Sequence, residues 1–248
     1  MRALAARFLH GQGAMRALLT AIVVLVVACG RQLQLPPVPV TMPGAADSAD
    51  QALAKSLAPV LYVQRDEPFP LVRTVAVLNP SRPIIAYHLL WSHDVNGQWM
   101  PWTKPSDEEE VWVAYDSTTH VPTTLWTYWH GTILRSDWRD KGQPAIDIQW
   151  GKHGSLPHGV IESDLPPLKS LNAFYMSEYL LLPDIWLGKL AHGGPWGFFH
   201  SYRRYRDFSM QLPLGVKLDA IVRAEDARPA LHAVFGSIYS NKRWWPSQ

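Results

Sequence analysis

The chain has 248 residues, with 23 Lys and Arg against 21 Asp and Glu, 47% hydrophobic residues, 12 Trp and one Cys. A formal charge of +2 argues against a polyanion-binding tail, and this hydrophobic content is far from that of disordered chains. One Cys leaves no intramolecular disulfide and no thiolate set for a structural zinc, so any metal must be held by His and carboxylates.

In chain order, Arg16 opens an apolar run that reaches Ala28 and is too short to span a bilayer comfortably as a mature helix. It ends at Cys29, and Val26-Val27-Ala28-Cys29 resembles a bacterial lipobox. That resemblance implies a signal peptide over residues 1–28, a diacylglycerol anchor on Cys29 and a place in the bacterial cell envelope. Gly30 stands where many inner-membrane lipoproteins carry a retaining Asp, which tilts the expectation toward an outer membrane. Met15 is the better initiator, because residues 2–14 add nothing a signal peptide needs. Residues 1–28 hold three of the 23 bases and none of the 21 acids, so the processed chain has 20 against 21 and a formal charge of −1. Arg203-Arg204-Tyr205-Arg206 is a small basic patch, too little to argue for nucleic acid.

Residues 29–49 are rich in Pro, with Gly and Ser among them, and are expected to form a tether, followed by a single domain over residues 50–248. Asp50 is placed to cap a short helix running to Leu57, and the segment after Pro59 reads as a strand. Ile84 to Trp91, Glu110 to Tyr115, Thr124 to His130 and Ala145 to Trp150 are rich in β-branched and aromatic residues and bounded by turn formers. They predict a mainly β protein, an antiparallel β-sandwich. Leu168, Leu171, Tyr175, Tyr179 and Leu182 recur at helical spacing and predict one peripheral helix over 168–182, with a weaker one at 184–190. Trp244-Trp245 is expected to dock on the domain or meet a membrane interface.

The run from Ala52 to Val63, followed by Asp66-Glu67-Pro68-Phe69-Pro70, resembles the opening of the necrosis-inducing-protein superfamily and its vacuolar-sorting-type relatives. The strand from Ile84 to Trp91, the segment from Asp107 to Val113 and the turn from Gln149 to Ser155 resemble further pieces of that family in the same order, so the likeness covers residues 52–160. It implies a β-sandwich with a cleft at one end, where Asp, Glu and His hold a divalent cation and, in plant-toxic members, a glycosylated sphingolipid headgroup. Asp107 matches the Asp of the family's Gly-His-Arg-His-Asp-Trp-Glu motif and Glu109 its Glu. Lys104-Pro105-Ser106 replaces the motif's preceding residues, and Glu110 replaces the His that follows.

The residues can also be read without the family. Side chains two apart on a strand share a face, so Asp107 and Glu109 project together while Glu108 and Glu110 point the other way. Such an oxygen pair suits Ca²⁺, Mg²⁺ or Mn²⁺, and adding His130 or His153 shifts the preference toward Mn²⁺, Zn²⁺ or Fe²⁺. The competing reading is a solvated acidic loop ahead of a strand. His130 ends the face made by Trp126 and Tyr128, and His153, close to Gly151 and Gly154, is expected on an exposed turn. His88, His93 and Asp94 form a third group. Trp99 and Trp102 flank Met100-Pro101 outside any strand, and a Trp there beside acids such as Glu110 suits stacking on a sugar ring. Ala191-His192-Gly193-Gly194 resembles a hydrolase oxyanion loop, but no Gly-x-Ser-x-Gly elbow accompanies it.

The first expectation is therefore a lipid-anchored envelope protein that binds a glycan or polar lipid headgroup, with a divalent cation held by Asp107, Glu109, His130 and His153. Nothing in the sequence demands catalysis. A metal-assisted hydrolase of glycans or phosphoesters, with Glu109 or Glu110 as general base and His153 as a metal ligand or acid, is one alternative. A structural envelope lipoprotein without a small ligand is the other.

Overall fold

The computed structural model describes residues 35–93, 107–129, 132–160, 208–236 and 245–246. Cys29, the expected lipid-anchor site, the expected helices at 168–182 and 184–190, and residues Asp94, Trp99, Trp102, His130, His192 and Arg203 to Arg206 lie outside them. The elements are α1 (Ser48–Ser56), β1 (Val60–Gln64), β2 (Leu71–Leu78), β3 (Ile84–Trp91), β4 (Asp107–Tyr115), β5 (Pro122–Trp129), β6 (Thr132–Asp137), β7 (Ala145–Ile148), β8 (Ser155–Pro157), β9 (Gln211–Leu214), β10 (Ala220–Arg223) and α2 (Arg228–Phe235).

They form a mainly β fold of two sheets with few helices, a six-stranded one in the order β10-β2-β3-β4-β5-β6 and a four-stranded one in the order β8-β7-β1-β9. From β2 to β6 every neighbour is antiparallel. Each sheet also has one parallel pairing, β10 with β2 and β1 with β7, because those partners arrive from distant parts of the chain.

Between the sheets lies one core, with Leu61, Ile85, Tyr87, Leu89, Val111, Val113, Leu125, Ile146 and Ile148. A second core covers the outer face of the larger sheet, where Val75, Val77, Ala86, Leu90 and Trp112 meet Leu231, Val234 and Phe235 of α2. A sheet covered on both faces needs apolar residues at successive positions. That explains why β3 is an unbroken apolar and aromatic run, His88 excepted, and why all eight of its residues are buried.

Asp47, not Asp50, caps α1, accepting from the backbone N of Asp50 at 2.8 Å. Asp50 lies in the first turn and receives two bonds from Arg223 on β10, at 2.5 and 2.6 Å. The segment expected to be a tether is packed from Leu35 onward. Leu35, Val38 and Met42 lie against the outer core, Arg73 on β2 donates to the carbonyl of Pro36 at 2.7 Å, and Ala45 bridges Val222 on β10. Gly44 has φ +68°, and a Cβ on it would stand 3.0 Å from the Arg223 carbonyl oxygen, so this close approach needs glycine. The prolines withhold donors, but the apolar residues between them still bury side chains. This arm runs along the outer face from the β2 start at Leu71 to the β10 end at Arg223. Trp245 docks at that second end, its indole N donating to the Glu225 carbonyl at 3.1 Å beneath the Arg82 guanidinium.

Candidate functional site

Four chain segments meet at one end of the sandwich: the end of β3, the start of β4, the loop after β1 and the turn after β7. Trp91, the last residue of β3, pairs with Asp107, the first of β4. The turn after β7 is tight, with Gly151 at φ +63° and His153 at φ +55°. The backbone N of His153 donates to the Gln149 carbonyl, and the backbone N of Gln149 to the Gly154 carbonyl, both at 2.9 Å. A positive φ at a non-glycine residue persists only where its surroundings hold it. Here the loop after β1 does so: the indole N of Trp150 donates to the Asp66 carbonyl at 3.2 Å, and the backbone N of Gly151 to Glu67 Oε2 at 2.8 Å.

The result is a His153 side chain with no exposed surface, lying between two carboxylates. Its Nδ1 is 3.0 Å from Asp107 Oδ2 and its Nε2 3.2 Å from Glu67 Oε1, an oxygen that also accepts from the backbone N of Phe69 at 3.1 Å. The imidazole stacks on the Trp91 ring at 4.3 Å and 4° and meets Phe69 edge-on at 6.2 Å. Burial, the largest single influence, works against the charged ring. The bonds to Asp107 and Glu67 together outweigh it and raise the pKa of His153 to about 9. At neutral pH His153 is thus an imidazolium donating from both nitrogens, with its charge over the face of an indole. Glu67 is almost wholly covered, whereas the Asp107 side chain is 20% exposed and carries the arrangement to the surface.

The acids of β4 are strand residues rather than a solvated loop, and they divide between its faces as alternation requires. Glu109 lies with Asp107 on the face between the sheets and pairs across the ladder with Leu89. Glu108 and Glu110 lie on the outer face, where His88 of β3 places Nδ1 3.3 Å from Glu108 Oε1 and Nε2 3.3 Å from Glu110 Oε1. Glu110, expected beside the sugar-stacking Trp residues, is fully buried because both faces of the sheet are covered. The expected group of His88, His93 and Asp94 divides in the same way. His88 faces the outer core, while the His93 ring is 6.0 Å from Phe69 near the mouth. His153 was expected on an exposed turn and is instead fully enclosed. Sequence reasoning passed over Glu67 as a site residue; its signal was an acid directly before Pro68-Phe69-Pro70.

The sequence resemblance to necrosis-inducing proteins implies a divalent cation here, and the described residues do not fit one centred on His153. Both of its nitrogens are engaged by carboxylates and it keeps its proton, whereas a metal ligand must present a lone pair. Among the described residues no group of three or more His, Cys, Asp or Glu is arranged to hold a metal ion.

No family model matches the chain, and no curated protein matches it. Among solved structures it is similar to "NLPPya in complex with glucosamine", with 20% identity and a TM-score of 0.36 over 49% of this chain and 73% of that one. It is similar to "NLPPya in complex with mannosamine", with 21% identity and a TM-score of 0.35 over 50% and 74%. It is also similar to Necrosis and Ethylene inducing Protein 2 from the causal agent of cocoa's Witches Broom disease, with 14% identity and a TM-score of 0.31 over 48% and 75%. The likeness is one of fold, to the NLP toxin fold over about half of this chain.

Proposed function

We propose that this protein is a lipid-anchored bacterial envelope protein whose β-sandwich binds a glycan or polar lipid headgroup at the mouth around Asp107. The observation that supports this reading is the Glu67–His153–Asp107 arrangement, in which a carboxylate that reaches the surface is held from behind by a buried imidazolium. A carboxylate fixed in this way accepts hydrogen bonds from sugar hydroxyls or from an ammonium group without first having to be ordered. Binding fits this geometry better than hydrolysis does. The hydrolase reading takes Glu109 or Glu110 as its general base, and both are buried within the sheet.

The test uses residues 35–248, melted with and without glucosamine, mannosamine or phosphoethanolamine, each with and without chelator. A ligand at about 100 times its dissociation constant stabilises a folded protein by about 2.7 kcal/mol, enough to raise the melting temperature visibly. A shift that survives chelator and disappears in Asp107→Asn is expected. An unchanged shift in Asp107→Asn, or none with any ligand, counts against the site, and a shift abolished by chelator would restore the cation reading.

A further inference from the structure

The arm that joins the domain to its anchor enters at the same end as the mouth. Pro36 is held by Arg73, two residues along β2 from Leu71, and Leu71 pairs with Trp91, which pairs with Asp107. Arg73 also donates to the carbonyl of Val234 in the last turn of α2, so arm, helix and sheet are joined there. From Pro36 the arm runs away from the mouth to Gly44 and Ala45, whose partners Arg223 and Val222 lie toward the opposite end. Six residue steps separate Cys29 from Leu35, and even fully extended they span at most about 22 Å.

We propose that the mouth faces the membrane in which the protein is itself anchored, so that the ligands within reach are groups displayed on that membrane's own surface. The inference rests on the lipid anchor of the reading above and on the packing of the arm. With a link this short, the end of the sandwich that receives the arm is the end nearer the bilayer. The opposite end stands about 27 Å further off, the length of nine-residue β4 at about 3.4 Å per step.

Thioether formation at Cys29 consumes the only thiol, so an introduced cysteine is a unique labelling site. Arg65→Cys places it on the exposed loop at the mouth, and Thr118→Cys on the exposed turn between β4 and β5 at the far end. Each full-length lipidated variant would be reconstituted into phosphatidylcholine vesicles carrying a rhodamine-labelled lipid, and energy transfer from a donor on the cysteine measured. Transfer is expected to be stronger from position 65, corresponding to a distance shorter by most of that ~27 Å. Equal or reversed transfer from a chain that floats with the vesicles overturns the orientation alone. Failure of the lipidated chain to float, or equal flotation of Cys29→Ser, overturns the anchor and this orientation with it.

Discussion

His153 holds its proton because two acids share it, which makes the site a source of pH-dependent stability. Its pKa rises from the ordinary 6.5 to about 9 on folding. A group whose folded pKa is raised stabilises fully below the unfolded value and loses that contribution as pH climbs through the folded one. The window is therefore pH 6.5 to about 9, and the shift corresponds to something on the order of 3 kcal/mol. The melting temperature of residues 35–248 should fall across that window, and by less in Glu67→Gln, which removes one of the two negative charges. A flat profile in the wild type would mean that the ring is neutral at pH 7. Of this group, the sequence made Asp107 and His153 legible through the strand acids and the turn. Glu67 was marked only by its place before Pro68-Phe69-Pro70, since its partner lies 86 residues away and only tertiary packing brings the two together.

At the scale of elements, strand alternation was enough to divide the four acids of β4 correctly between two faces, and β3 has the bounds its composition indicates. Beyond those, Leu71–Leu78 carries a strand composition as plain as that of β3, while β8, β9 and β10 have only three or four residues each and too little period to be read. What the pattern could not show is that a strand opening on acids is buried. That depends on His88 lying opposite Glu110 and on the β7 turn folding over Asp107. The turn depends in turn on Gly154, where a Cβ would come within 3.0 Å of Trp129 Cε3 and 3.2 Å of Gln149 Oε1. Gly154→Ala should therefore lower the unfolding free energy in urea by about 1–3 kcal/mol and weaken ligand binding. A variant as stable as the wild type would show that Trp129 can move aside.

For the molecule as a whole, a mainly β sandwich could be read from strand composition, but the packing of the arm could not. Proline content marks residues 35–47 as irregular, and irregular chain can still be packed when Leu35, Val38 and Met42 find an apolar face. Which face that is depends on α2 leaving room beside it on the outer core. A chain beginning at residue 50 should consequently melt lower than one beginning at residue 35, with a loss of at least ~2 kcal/mol for the apolar side chains removed from contact. Identical melting of the two would show that the arm contributes nothing to stability.

The acids on both sides of β4 leave the strand locally unable to tell its own alignment. Sliding it by one residue against β3 would exchange acid for acid at three of the four positions from Asp107 to Glu110, and the polarity pattern there would change little. Beyond Glu110 the degeneracy ends, since the same slip would swing Trp112 from the face covered by α2 into the space between the sheets. The instruction that aligns Asp107 with Trp91 is thus written outside the site, in the bulk of an indole five residues along the chain.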